Sequence, residues 1–192
     1  MNITVYLGSG SGNDPKLEIA VRALGRWIGE SGNALVYGGS KTGLMGALAE
    51  STLQAGGEVT GVEVSFFVEE DLQYEGLTRL FVAKDLPERR TKMIELGDAF
   101  VAFPGGVGTL EEISEVISRV ALKKLDAPCI LYNLDGYYEG LRAQLHHMVK
   151  MGLCAPEKLE KVYFAPDLAE VKRLLSAMLK TFDGRRTALL LI

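Results

Sequence analysis

The sequence has few cysteine and histidine residues, two of each. Cys129 and Cys154 form no CxxC pair, and neither histidine lies near them at the spacing of a metal site. His146 and His147 are adjacent, so they point to different faces of a helix and are not expected to share one ion. The sequence alone does not exclude a disulfide between the two cysteines. Cys129, however, stands in an apolar run, where a buried thiol behaves as a small hydrophobe. We predict no metal site and a reducing compartment.

A surplus of basic residues and long apolar runs are also missing. The chain has 21 Lys and Arg against 25 Asp and Glu, a net charge of −4, which argues against a nucleic-acid polymer as partner. No apolar run approaches the roughly 20 residues that a membrane helix needs. The first residues lead into a strand without the basic and apolar regions of a signal peptide. We therefore expect a cytoplasmic protein that does not bind a membrane.

The size and composition are those of one globular domain. The chain has 192 residues, of which 47% are apolar and 24% are charged. We predict a single α/β domain over residues 1–182 and a short tail over residues 183–192. The end of that tail is apolar but lacks helix signals, and the sequence does not assign it a role.

Short β-rich runs alternate with amphipathic stretches of helical length through most of the chain. Strands are predicted at residues 3–7, 34–37, 59–64, 79–83, 99–103 and 129–132. Helices are predicted near residues 15–31, 44–55, 87–96, 109–124, 137–150 and 168–180. This alternation is typical of a mostly parallel sheet with helices on both faces. Because crossover connections are right-handed, we predict a doubly wound, Rossmann-like fold.

Three predicted strand-to-helix junctions contain clustered glycines, at residues 8–12, 38–46 and 105–108. Glycine lets a ligand approach the backbone closely, and the N-terminus of the next helix attracts phosphate. In an open parallel sheet these junctions share the edge where ligands bind. The first cluster lacks the GxGxxG spacing, and Ser40 stands at the glycine position before Lys41 in a Walker A loop. We expect a phosphorylated small molecule as ligand, and neither an NAD enzyme nor a P-loop ATPase.

The run PGGVGTLEE at residues 104–112 resembles the PGGxGTxxE signature of the Lonely Guy family, whose members are often labelled lysine decarboxylases. Four further segments resemble the family in order and spacing. They are YGG and GLMG at 37–39 and 43–46, ERRTKM at 88–93, DAF at 98–100, and the N…GYY run at 133–138. The resemblance extends over about residues 2 to 165.

This resemblance implies a homodimer that hydrolyses the N-glycosidic bond of a nucleoside 5′-monophosphate, without a metal or organic cofactor. The products would be ribose 5-phosphate and a free base, which in cytokinin pathways is an N6-substituted adenine. Arg89 and Glu112 would be the catalytic pair, and Glu88 would lie near the ribose or base. The phosphate would be held by Gly105, Gly106, Gly108 and Thr109. The other predicted substrate-binding residues are Gly8, Ser9, Gly38, Gly39, Met45 and Arg90.

Both members of the predicted pair have a purely structural alternative. Thr109-x-x-Glu112 is also a capping box, with Thr109 as the helix N-cap. Arg89 and Arg90 would stand early in a helix, in what could be a surface charge cluster. As a catalytic group, Glu112 would stabilise an oxocarbenium-like state or orient the attacking water. Arg89 stays charged, so it would hold phosphate or sugar oxygens or stabilise the departing base.

Four segments depart from the family pattern. Pro87 stands where histidine is usual, Ser40 replaces a glycine, GVIP reads GVEV at 61–64, and the Trp-x-Gln-Leu pattern reads RVAL at 119–122. These changes lie around the expected base pocket and dimer surface, so AMP or another nucleotide could replace a cytokinin nucleotide. They leave open a non-catalytic carrier of a nucleotide or phosphorylated cofactor. A pyridoxal-phosphate lysine decarboxylase is a third reading, although no lysine stands in an evident Schiff-base setting.

Overall fold

The structure, a computed structural model, describes residues 1–65 and 73–177. Seven strands of this described part form one all-parallel sheet in the order β4-β3-β2-β1-β5-β6-β7. The strands are β1 (Asn2–Tyr6), β2 (Ala34–Tyr37), β3 (Val59–Val64), β4 (Arg79–Ala83), β5 (Ala99–Ala102), β6 (Cys129–Tyr132) and β7 (Val162–Ala165). The strand order reverses between β1 and β5, and a crevice is expected at such a switch point. The predicted tail, residues 183–192, lies outside the described residues.

Helices cover both faces of the sheet, as predicted for a doubly wound fold. They are α1 (Pro15–Glu30), α2 (Gly43–Gln54), α3 (Leu86–Leu96), α4 (Val107–Ala121), α5 (Glu139–Lys150) and α6, described over 168–177. One core cluster joins the sheet to α1, α2 and α6, and the other joins it to α3, α4 and α5. None of the helices described within 1–65 and 73–177 is long and apolar enough to cross a bilayer.

The seventh strand, β7, was not predicted from the sequence. It has four residues at the edge of the sheet, and three of them are only half-buried. Its sequence VYFA is apolar, but a run this short does not by itself identify a strand, and no full α-helix directly precedes it to continue the alternation of strands and helices. Here a short 3-10 helix, Pro156–Leu159, precedes it instead.

Helix α4 begins two residues earlier than predicted. Its first residue is Val107, and Gly106 occupies the N-cap position. Thr109 therefore lies inside the first turn, and the capping-box reading of Thr109 and Glu112 is wrong. The start was missed because a glycine N-cap contributes no side-chain oxygen to mark the boundary.

Candidate functional site

A cavity of about 400 Å³ opens at the carboxyl edge of the sheet, around the switch between β1 and β5. It is lined by the turns after β1 and β2, the end of β3, one side chain each of α2 and α3, and the first turns of α4. Nine of the predicted site residues line it: Gly8, Ser9, Gly38, Met45, Arg89, Gly106, Gly108, Thr109 and Glu112. The parallel topology thus brings three separate glycine-rich turns to one place.

The turns after β1 and β5 pack against each other through glycine. The Gly8 N–H donates to the carbonyl of Pro104 at 3.4 Å. A Cβ atom at Gly105 would lie 2.7 Å from the nitrogen of Gly8 and would overlap the Thr109 hydroxyl. Gly105 is therefore needed for this close approach, although it does not itself line the cavity.

The beginning of α4 is exposed to the cavity as backbone. Gly106, Val107 and Gly108 all line the cavity, and the N-cap residue has no side chain. The first N–H groups of a helix have no partner within the helix and lie at the positive end of its dipole. This end of the cavity can therefore bind a phosphate group through main-chain N–H groups.

Arg89 and Glu112 are in contact at the centre of the site. The Arg89 Nη1 group donates to Glu112 Oε1 at 2.8 Å, and the two residues are only 9% and 7% exposed. Arg89 also donates through Nε to the carbonyl of Val62 at 2.8 Å and through Nη2 to that of Gly38 at 3.3 Å. The guanidinium group is therefore fixed between β3, β2 and α4.

Gly38 makes room for this arrangement. A Cβ atom there would overlap Nη2 of Arg89 and would lie 3.1 Å from the sulfur of Met45. A larger residue would push the guanidinium group away from the two carbonyls that hold it. The glycine after β2 thus positions a side chain as well as bounding the cavity.

Burial dominates the electrostatics of the two carboxylates nearest Arg89. It raises the pKa of Glu112, although the guanidinium group of Arg89 acts in the opposite direction. Burial also raises the pKa of Glu63, again against Arg89. Two buried carboxylates therefore share one arginine, and each holds its proton to a higher pH than it would in water.

Four predicted residues do not line the cavity: Gly39, Glu88, Arg90 and Gly105. Glu88 accepts from the backbone N–H of Lys84 at 2.7 Å, so its side chain helps to cap α3. Arg90 forms ion pairs with Glu111 and Glu115 on α4. Glu88 precedes Arg89 on α3 and Arg90 follows it. Successive side chains of a helix point in different directions, so these two point away from the cavity that Arg89 enters.

Glu63 lines the cavity but was not among the predicted site residues. It is 3% exposed at the end of β3, and its Oε1 atom lies 3.7 Å from Nε of Arg89. The sequence offered two signals: an acidic residue in the otherwise uncharged strand VTGVEV, and the departure from GVIP at 61–64 near the expected base pocket. Within residues 1–65 and 73–177, no three His, Cys, Asp or Glu side chains cluster closely enough to form a metal site.

The chain resembles known proteins in both sequence and structure. A family model described as possible lysine decarboxylase matches residues 45–175. The chain is 39% identical over 168 residues to the cytokinin riboside 5′-monophosphate phosphoribohydrolase of Rhodococcoides fascians, covering 87% of this chain and 85% of the relative. It is 34% identical over 181 residues to the enzyme of that name, LOG7, of Arabidopsis thaliana, covering 94% and 83%.

Solved structures of similar fold include two that bind or carry the molybdenum cofactor. The molybdenum cofactor binding protein of Rippkaea orientalis superposes with a TM-score of 0.72 at 21% identity, covering 93% of this chain and 96% of that one. The molybdenum cofactor carrier protein of Chlamydomonas reinhardtii gives 0.65 at 19% identity, covering 91% and 98%. At these identities the likeness concerns the fold alone.

Proposed function

This chain belongs to the Lonely Guy family, and from that membership we propose that it hydrolyses the N-glycosidic bond of a nucleoside 5′-monophosphate. The products are a free base and ribose 5-phosphate. The observation that carries the proposal is the buried contact between Arg89 and Glu112, beside the open N-terminus of α4. A cytokinin riboside 5′-monophosphate is the substrate that the relatives' names favour, and AMP is the alternative that the departures from the family pattern suggest.

The phosphate binds to the main-chain N–H groups at the start of α4, which places the ribose over Arg89 and Glu112. Three N–H groups of the guanidinium donate to described residues, and two remain for phosphate or sugar oxygens. As the C1′–N bond breaks, its electron pair leaves with the base and positive charge develops on the ribose. The Glu112 carboxylate stabilises this charge and accepts a proton from the water that adds to C1′, while the departing base takes up a proton from solvent and leaves as the neutral base.

Incubation with a panel of nucleotides tests the proposal. We expect chromatography to detect free base and an equal amount of ribose 5-phosphate from at least one nucleoside 5′-monophosphate. The matching nucleoside should be a much poorer substrate, because it has no phosphate for the start of α4. Folded protein that releases no base from any member of the panel would contradict the proposal. A nucleotide recovered bound and intact would instead support a non-catalytic carrier.

The same cavity offers little to pyridoxal-phosphate chemistry. A lysine decarboxylase of that class holds its cofactor as a Schiff base with a lysine. No lysine is among the described residues that line the cavity. Phosphoribohydrolase activity therefore suits the site better than the decarboxylase description of the family model.

A homodimer and a cytoplasmic location are part of the proposal. Val107 and Leu110 are exposed on the first turns of α4, and Tyr137 is exposed beside the same groove. We infer that a second copy covers this apolar surface, because apolar area near a site is commonly buried in oligomers. The free thiols of Cys129 and Cys154 suit a reducing compartment.

Substitution of Leu110 with glutamate is expected to convert the dimer to a monomer. Leu110 is 47% exposed, so the isolated subunit tolerates the charge, whereas a dimer would bury it unpaired. Size-exclusion chromatography with light scattering measures the mass. Ile19→Glu, an exposed position on α1 across the sheet, serves as the control and should stay dimeric. Dimers of unchanged stability with Leu110→Glu would rule out this surface.

A further inference from the structure

Glu63 is a buried carboxylate for which the proposed hydrolysis so far gives no role. It lies at the end of β3 and lines the cavity. Its Cβ atom is 3.1 Å from the position that a Cβ atom at Gly39 would take. Gly39 has a φ of +88°, a conformation that glycine adopts readily. The turn after β2 therefore passes close over the Glu63 side chain.

The Glu63 side chain has more hydrogen-bonding capacity than the described residues use. Its Oε1 atom accepts from the backbone N–H of Val64 at 3.1 Å. The Nε group of Arg89 is 3.7 Å away and directs its N–H to the carbonyl of Val62. An ionised carboxylate has about four acceptor sites, and buried polar groups are normally paired. The remaining acceptor capacity of Glu63 is thus available to a ligand in the cavity.

The order of the strands in the sheet sets the distance between Glu63 and the start of α4, where the phosphate would bind. The helix that would bind phosphate follows β5, whereas Glu63 ends β3, and β2 and β1 lie between those strands. Three strand spacings amount to roughly 14 Å. Arg89 lies between the start of α4 and Glu63, because it contacts Glu112 on one side and approaches Glu63 on the other. A nucleotide with its phosphate at α4 and its ribose at Glu112 would therefore extend its base toward Glu63.

The surroundings of Glu63 suit a nucleobase. Met45 lines the same cavity and provides a polarisable apolar surface for a flat ring. A carboxylate nearby accepts hydrogen bonds from an amino group and repels a carbonyl oxygen. This pairing of an apolar contact with an acceptor favours a base that presents an exocyclic amino group.

We propose that Glu63 determines base specificity by accepting a hydrogen bond from the exocyclic amino group of the base. This inference rests on the proposed hydrolysis. It assigns no covalent step to Glu63, which binds the base while Arg89 and Glu112 act at the ribose. The paired substrates are AMP and IMP. The purine of AMP carries an amino group at the 6-position, whereas that of IMP carries an oxygen there and a proton on N1.

The test compares kcat/KM for AMP and IMP in the natural protein and in Glu63→Gln. We expect the natural protein to prefer AMP by at least about 10-fold, because a site built to accept from an amino group rejects the analogue that lacks it. Glutamine can turn its own NH₂ group toward the 6-oxygen, so the ratio should fall by about 10-fold or more. Glu111→Gln, at a more exposed carboxylate on α4, should leave the ratio unchanged.

The outcomes separate this inference from the function on which it rests. No base release from any nucleotide by the natural protein defeats the hydrolysis itself. Hydrolysis with an unchanged AMP-to-IMP ratio in Glu63→Gln, or an equal loss for both substrates, defeats only the role of Glu63. If the variant does not fold, the natural protein is assayed with purine riboside 5′-monophosphate, which has no exocyclic group. A rate equal to that with AMP then overturns the inference.

Discussion

Replacement of Glu112 with glutamine is expected to lower kcat for base release by on the order of 10³-fold. The amide is neutral, so it neither attracts the positive charge that develops on the ribose nor takes a proton from water. Its oxygen can still accept from Nη1 of Arg89, which now lies 2.8 Å from Glu112 Oε1. We therefore expect a folded protein, and thermal unfolding together with single-turnover kinetics should separate folding from chemistry.

Glu111→Gln is the matched control for this substitution. Glu111 precedes Glu112 on α4, but it pairs with Arg90 and its side chain is 60% exposed. Its loss should leave kcat within about twofold, because a surface ion pair contributes little. Near-natural turnover by Glu112→Gln, or a comparable loss with both variants, would remove Glu112 from the proposed mechanism.

The pH dependence of the natural protein offers a further check on Glu112. Its proposed role requires the carboxylate form, and burial raises its pKa above the ordinary value of 4.5. Activity should therefore decline on the acid side at a pH above 4.5. In Glu112→Gln the residual rate should lose this particular dependence.

Replacement of Arg89 with methionine is expected to destabilise the protein by about 3–5 kcal/mol at neutral pH, besides abolishing activity. The change leaves the buried carboxylates of Glu112 and Glu63 without the cation that both now approach. It also leaves two backbone carbonyls without their donor. Urea unfolding monitored at pH 7.5 and pH 4.5 measures the loss.

The sign of the pH effect follows from the two carboxylates. Arg89 lowers the pKa of both, so without it their folded-state pKa values rise further above the unfolded value. A group with a raised folded-state pKa contributes full stability below its unfolded pKa, and that contribution is lost as the pH rises through the folded-state pKa. The deficit of Arg89→Met should therefore be largest at pH 7.5 and smaller at pH 4.5.

Arg90→Met is the control for the loss of a charge at this part of α3. Arg90 forms ion pairs with Glu111 and Glu115, and its side chain is 20% exposed. Glu111 is 60% exposed and Glu115 keeps Arg119 as a second partner, so neither carboxylate is left buried and unpaired, and the loss should cost about 1 kcal/mol or less. Equal destabilisation by the two variants would show that the buried position of Arg89 has no special weight.

Most of the fold could be predicted from the sequence, because the spacing of apolar residues distinguished helices from strands in most segments. The predicted bounds of β2, β3, β4 and β6 agree with the structure residue for residue. These are short runs rich in aliphatic and aromatic residues, bounded by glycine, proline or polar residues. The edge strand β7 was missed because a four-residue apolar run without an α-helix directly before it is ambiguous, and the start of α4 was missed because its N-cap is a glycine.

The segments that meet at the site could be predicted from the sequence, but the side chains within each segment that point into the cavity could not. The glycine-rich turns converge because parallel strands end at one edge, a property of the topology. Residues next to Arg89 on α3 were predicted with it, yet successive helical side chains are rotated by about 100° and leave the cavity. Glu63 was missed because the direction of a single acidic side chain at a strand end depends on tertiary packing.

The triple anchoring of Arg89 has a consequence for the timing of ligand binding. Its hydrogen bonds run to Val62, Gly38 and Glu112, all of which belong to this chain, so folding itself brings these partners together. Ordering a long arginine side chain costs about 2 kcal/mol of rotamer entropy. That cost is met during folding, so an arriving nucleotide encounters a preorganised guanidinium group and needs no induced fit at this position.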